Sequence, residues 1–150
     1  MYVLDTNVLS ELRPGKPRAD QAVIRWAQSV SIGQTFISAI TILEVELGIL
    51  QLERRTPPQG SALRAWFNGV PQAFAGRILP FTREIAMRCA ALHVPDPAPE
   101  RDAMIAATAL THGMTLVTRN VGDFARTGLH VIDPWEYAGL KRASERNAPP

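Results

Sequence analysis

Hydrophobic and polar positions along the chain fall into short apolar runs separated by longer stretches of helical period. Residues 2–4, 35–38, 77–80, 116–118 and 130–132 are brief, apolar and bounded by turn or cap residues, which predicts five strands. The intervening stretches predict helices. The first starts at Thr6 or Asn7, and a second spans 20–30 after the turn-rich segment 14–17. A third follows Ser38 as N-cap, with Ile40, Leu43, Leu47 and Leu50 recurring at helical spacing. Further helices are predicted over 60–74, over 84–92 behind Thr82, and over 100–112, with Pro99 in the first turn and Gly113 at the C-cap. Residues 57–60, Pro-Pro-Gln-Gly, are expected to form a loop. Alternating strands and helices imply parallel strands joined by right-handed crossovers, hence a three-layer α/β domain with a central, mainly parallel five-stranded sheet. In such sheets the ligand crevice lies beyond the carboxyl ends of the strands, where strand order reverses.

Composition narrows the setting. The 150 residues, 46% of them hydrophobic, suit one compact domain. It is expected over 1–140, followed by a polar tail, 141–150, that lacks core residues and is expected to be mobile. Sixteen Lys and Arg against 14 Asp and Glu leave a formal charge of +2, a weak pointer to an anionic partner. Cys89 is the single cysteine, so neither an intramolecular disulfide nor a CxxC metal site is available, and a reducing compartment fits. With no basic leader at Met1 and no uninterrupted apolar span, a cytoplasmic location without membrane insertion is expected. Neither GxGxxG nor GxxxxGK occurs, which argues against a nucleotide-cofactor enzyme.

Candidate chemistry resides in the carboxylates. Asp5 directly follows the first apolar run, at the mouth of the expected crevice, where it would equally serve as a helix N-cap. Glu44 and Glu46 lie in Ala39-Ile-Thr-Ile-Leu-Glu-Val-Glu-Leu-Gly-Ile-Leu, where an acid among apolar neighbours needs a partner. Two positions apart on a helix is about 200°, so at most one of them points into the crevice, and periodicity does not choose between them. Asp102 belongs to the first turn of its helix, a place where acids also occur simply because they complement the helix dipole, and Glu100 competes with it. Asp123 sits in Thr118-Arg-Asn-Val-Gly-Asp-Phe124, which also reads as a polar turn, with Thr118 and Asn120 nearby. The crossover topology brings the ends of the first and fourth strands together, and carboxylates gathered there repel one another unless protonated or bridged by a cation.

Val3-Leu4-Asp5-Thr6-Asn7, Ile40-Thr41-Ile42-Leu43-Glu44 with Gly48, Asp102-Ala-Met-Ile-Ala-Ala-Thr-Ala109, and Leu116-Val-Thr-Arg-Asn120 with Asp123-Phe124 occur in order and together resemble the PIN-domain family. Within it the chain most resembles toxin nucleases of the VapC and FitB type, over residues 1 to 140. The resemblance implies a PIN-like α/β/α sandwich and an acidic quartet at Asp5, Glu44, Asp102 and Asp123, with Thr6, Asn7, Thr118 and Asn120 as supporting polar positions. The glycine four residues after Glu44 favours it over Glu46. It further implies metal-dependent hydrolysis of RNA phosphodiesters as a toxin, a cognate antitoxin protein and a homodimer. Oxygen-only ligands select Mg²⁺ or Mn²⁺, and His93, His112 and His130 make no convincing zinc set. Arg13, Lys16 and Arg18 are expected either to grip substrate at the rim or to form a solvated loop. Trp66 and Phe67 are expected in the core rather than at an interface. Two other classes fit an acid at the first strand end: an aspartyl-phosphate phosphatase with Asp5 as nucleophile, although Asn7 stands where its second acid is expected, and a noncatalytic receiver-like binding module.

Overall fold

The computed structural model describes residues 1–139, so the expected mobile tail lies outside the described residues. In chain order the elements are β1 (Tyr2–Leu4), α1 (Thr6–Glu11), α2 (Gln21–Ser29), β2 (Thr35–Ser38), α3 (Ala39–Arg55), α4 (Pro57–Phe67), α5 (Val70–Ala73), β3 (Ile78–Leu79), α6 (Arg83–Leu92), α7 (Glu100–Thr111), β4 (Thr115–Val117) and β5 (Val131–Ile132). Short 3-10 turns at Ile32–Gln34, Val121–Phe124 and Pro134–Glu136 complete the connections. The five strands form one sheet in the order β3-β2-β1-β4-β5, and every pairing is parallel. The chain therefore builds outward from β1 to β3 on one side and then returns to the other side of β1 for β4 and β5. The reversal falls between β1 and β4, where Val3 pairs with Leu116 and Leu4 with Val117. Asp5 extends this ladder by one step, its backbone N–H donating to the Val117 carbonyl over 2.9 Å.

Side-chain alternation divides the core between the two faces of the sheet. Leu4, Ile37 and Val117 pack with Val8, Leu9, Val23, Trp26, Val45 and Ile49 beneath α1 to α5. Val3 and Leu116, one residue earlier in their strands, pack with Ile105, Ala106, Ala109 and Phe124 beneath α7. α6 closes against α7 through Ile85, Cys89, Ala103 and Ala107. This is the three-layer α/β/α arrangement expected from the alternation of strand and helix. Small alanines along α7 let that helix lie close on the sheet, which fixes its first turn, and so Asp102, near the strand ends.

Two local expectations are corrected. The helix predicted over 60–74 is two helices, α4 and α5, parted at Asn68 and Gly69, and residues 57–60 are not a loop but the first turn of α4. Proline at a first turn loses no intrahelical hydrogen bond, so Pro57 and Pro58 begin the helix rather than precede it. Gly60 is required here: a Cβ at that position would stand 2.5 Å from the Glu53 backbone nitrogen, so α3 and α4 meet closely at this point. Arg64 then bonds both Glu46 (2.5 Å) and Glu53 (2.8 Å), clasping the two helices. The buried face of α3 is Ile40, Thr41, Val45 and Ile49, whereas Leu43, Leu47 and Leu50 are 49%, 37% and 51% exposed. Helical spacing marks the leucine stripe, but the helix is apolar on more than one side and the β-branched stripe faces the sheet. Phe67 is buried and Trp66 half-buried, as core packing requires. No helix among the described residues is long and apolar enough to cross a membrane.

Candidate active site

Asp5 ends β1 and begins α1. Its Oδ1 accepts from the Thr6 backbone N–H (2.8 Å), so it does cap the helix, yet Oδ2 accepts from the Thr118 hydroxyl at 2.6 Å and from the Asn7 side-chain amide at 3.4 Å. Asn7 also reaches Thr118 Oγ1 (3.3 Å) and accepts from the Arg119 backbone N–H (3.4 Å). The β1 and β4 ends are thus stitched together around one carboxylate. Asp5 is only 5% exposed, and burial pushes its carboxyl above the ordinary value of 3.8; the Thr118 and Thr6 hydrogen bonds oppose this, and the Asp123 charge adds to it. A cap chosen for helix stability alone has no need of such burial.

Glu44 projects from α3 onto α1, where its Oε1 accepts the Thr6 hydroxyl at 2.8 Å. Thr6 and the fully buried Thr41 are 3.4 Å apart through their hydroxyls, and Thr41 lies 3.5 Å from the Ser38 hydroxyl that caps α3. A line of hydroxyls therefore ties the start of α3 to α1 and sets the Glu44 rotamer. Glu46 points the other way, into the Arg64 clasp, as the helical angle between the two acids demands. Of the two acids it is Glu44 that bonds Thr6 and whose charge reaches Asp102.

Asp102, on the first turn of α7, makes no capping hydrogen bond, because Pro99 occupies the N-cap position. Its carboxyl is pushed up to about 6, first by burial and then by the charges of Asp5, Asp123 and Glu44. The other three acids all lie within coulombic reach of this one group. The competing Glu100 is exposed, and its charge is felt instead at Cys89, on the α6 side. Asp123 is exposed in the first turn of the Val121–Phe124 3-10 helix and joins the others through its charge. Of the supporting positions, Thr6, Asn7 and Thr118 contact the carboxylates through side chains, whereas Asn120 contributes its backbone N–H to Thr118 Oγ1 (3.1 Å).

Arg101 carries no signal in the sequence. Its Nη1 lies 3.9 Å from Glu44 Oε2, an exposed cation at the rim that only partly balances the acids. Thr41 was missed as well; a lone hydroxyl in the run Ile40-Thr41-Ile42, one turn before Glu44, was its signal. Lys16 pairs with Glu11 at 2.6 Å, while Arg13, half-buried, has no acidic partner among the described residues. His93 accepts from the Ala98 N–H, His112 is exposed, and His130, also exposed, stands 3.3 Å from the Thr115 hydroxyl.

The donor set is chemically suited to a hard divalent cation: carboxylate oxygens, part-buried, mutually repelling and held by neutral hydroxyls and amides. Among the described residues no three His, Cys, Asp or Glu side chains are already placed close enough together to hold a metal ion. Asp5 Oδ1 and Glu44 Oε1 each accept one hydrogen bond and retain a lone pair for a cation, whereas Asp5 Oδ2 already accepts two, from Thr118 and Asn7.

The family model for the PIN domain matches residues 2–129. The chain is 36% identical to "VapC ribonuclease Y4jK" of Sinorhizobium fredii over 147 residues, covering 92% of this chain and all of that protein. It is 35% identical to "Toxin FitB" of Neisseria gonorrhoeae over 140 residues, covering 90% and 99%. Among solved structures it is similar to FitAB bound to a DNA fragment, with a TM-score of 0.81 at 32% identity, covering 94% of this chain and 100% of that one.

Proposed function

The chain belongs to the PIN-domain family, and from that premise we propose that it is a divalent-metal-dependent endoribonuclease, the toxin of a toxin–antitoxin pair. The observation that carries the metal requirement is the gathering of Asp5, Glu44, Asp102 and Asp123 at the strand-order reversal, with the Asp102 carboxyl pushed up to about 6 by burial and the other three acids. Such a cluster is unfavourable by itself and favourable around a cation. Asp5, Glu44, Asp102 and Asp123 would hold Mg²⁺ or Mn²⁺, which would supply polarisation of water and compensation of charge on the phosphate. Thr118 and Asn7 fix the Asp5 carboxylate, and Thr6 fixes Glu44, so that these oxygens are aimed before substrate arrives. Arg101 sets a positive charge at the rim, opposite an incoming phosphodiester.

The Asp5 nucleophile reading is weaker on the same geometry, because both oxygens are engaged by Thr6 and Thr118. Partners follow from the relatives and from the surface. Relatives include FitB, and similar structures include the FitAB complex, so a cognate antitoxin is proposed here; a largely apolar hollow of about 550 Å³ bounded by Leu9, Trp26, Ile32, Trp66 and Phe74 gives it somewhere to bind. A homodimer through the exposed Leu43, Leu47 and Leu50 stripe would bury a leucine face that the monomer leaves in water. The test of function is digestion of RNA with added Mg²⁺ or Mn²⁺, against excess EDTA and against Asp5→Asn. Cutting that requires the metal and Asp5 supports the reading, and cutting that survives both removes it.

A further inference from the structure

Beyond the Thr6–Glu44 hydrogen bond, α1 and α3 run on in contact with each other. Four residues further along each helix stand Ser10 on α1 and Gly48 on α3, and both line a cleft of about 260 Å³ with Arg13, Lys16, Leu52 and Trp66. One such step along a helix is about 6 Å, so the cleft adjoins the acidic cluster. We propose that this cleft between α1 and α3, floored by Gly48 and flanked by Arg13 and Trp66, is a nucleotide subsite that holds an RNA phosphate and base next to the scissile bond. The assignment rests on the ribonuclease reading.

Three independent features converge on it. Gly48 weakens the interior of α3, as glycine does in any helix, yet a Cβ there would meet no heavy atom within 4 Å. Gly60 is glycine because α3 presses on it; Gly48 is under no such pressure from its own chain. The space it leaves opens into the cleft. Arg13 is half-buried with no acidic partner among the described residues, whereas Lys16 beside it is already paired with Glu11. A planar guanidinium without a counter-charge suits a phosphate, which it can grip bidentately. Trp66 supplies an aromatic wall, and a ring beside a cation is the combination that holds single-stranded nucleic acid by stacking and charge. The neighbouring hollow lined by Trp26 and Phe74 is apolar without such an unpaired cation in its wall, and so fits a protein side chain better than a nucleotide.

The test is steady-state cleavage of a fluorescent oligoribonucleotide by the full chain in Mn²⁺, with salt dependence. Arg13→Ala should raise KM about tenfold, with kcat falling far less, and flatten the slope of log KM against log salt by about one. Gly48→Val should raise KM comparably while the melting temperature does not fall, since the added carbons enter open space and only substrate would feel them. Arg88→Ala, on α6 in the opposite layer, should change KM less than twofold and controls for general charge. If the wild type cuts RNA but Arg13→Ala and Gly48→Val both stay within twofold of its KM, the subsite does not exist. The subsite is equally overturned if those changes weaken binding of the cognate antitoxin and spare RNA, which assigns the cleft to a protein. A wild type that cuts no RNA with metal overturns the ribonuclease reading itself, and the subsite with it.

Discussion

Replacing Asp102 with Asn separates a repelling ligand from an ordinary first-turn acid. Its carboxyl stands at about 6 against an ordinary 3.8. A displacement of that size corresponds to about 3 kcal/mol at most. Asp102 is part-exposed, so solvent screening reduces the recoverable repulsion to roughly 1 kcal/mol. Against this, an acid in a helix first turn gains about 0.3–1 kcal/mol from the dipole, which Asn forfeits. No capping hydrogen bond is lost, because Asp102 makes none. The two effects nearly balance, so the metal-free variant should melt at the wild-type temperature or up to about 3 °C above it, at roughly 2–4 °C per kcal/mol for a chain of this size. Metal changes the comparison. A cation bound only by the native state, at a hundredfold excess over its Kd, contributes about 2.7 kcal/mol, or roughly 5–10 °C for the wild type. Asp102→Asn should retain only a fraction of that rise. Differential scanning fluorimetry of both proteins in EDTA and in Mn²⁺ separates the two cases. Equal destabilisation of the variant in both conditions, together with retained RNA cleavage, would show that Asp102 is a dipole-complementing acid and no ligand.

Glu44→Gln should abolish most metal-dependent RNA turnover, whereas Glu46→Gln should retain it and lower stability only slightly, since its Arg64 partner keeps Glu53; cleavage assays and urea melts check both. Thr118→Val removes the 2.6 Å hydroxyl contact from a buried carboxylate and should cost about 1–3 kcal/mol, with weaker Mn²⁺ binding by calorimetry; an unchanged urea midpoint would contradict the positioning role. The metal-free protein should gain stability as pH falls from 7 towards 5. Asp102, raised to about 6 in the folded state, takes up its proton there before the unfolded chain does, and the upward shift of Asp5 acts with the same sign; below that window Glu11, lowered by Lys16 and the Asp20 N–H, loses its contribution and reverses the trend. Urea midpoints in EDTA at pH 7, 6 and 5 check the sign.

The sheet and its reversal point were legible because each strand is a short apolar run and each crossover has helical period; Asp5 at the end of β1 followed directly. The residues alone did not separate Glu44 from Glu46, since both lie on an apolar helix and only Arg64, from α4, shows where Glu46 goes. The start of α4 was hidden because Pro57 and Pro58 signal a turn and a helix first turn equally well. In α3 the helical spacing of the leucines showed the helix but not its buried face, because burial is decided by which stripe meets the sheet rather than by which stripe exists. Arg101 had no local pattern connecting it to Glu44, and Thr41 showed only as a lone hydroxyl in an apolar run, with nothing local to tie it to Thr6. Asn120 acts through its backbone, which no side-chain identity announces.

Metal-dependent cleavage through Asp5 is tested most directly by titrating Mn²⁺ into purified, metal-stripped protein with RNA present, scored for cleavage and repeated with Asp5→Asn. The prediction is no cutting in EDTA, cutting that saturates with Mn²⁺ in the wild type, and loss of at least about a hundredfold in the variant, on the scale expected when a preorganised electrostatic group is removed from a reacting centre. RNA cleavage at full rate in excess EDTA, or by Asp5→Asn, would contradict it.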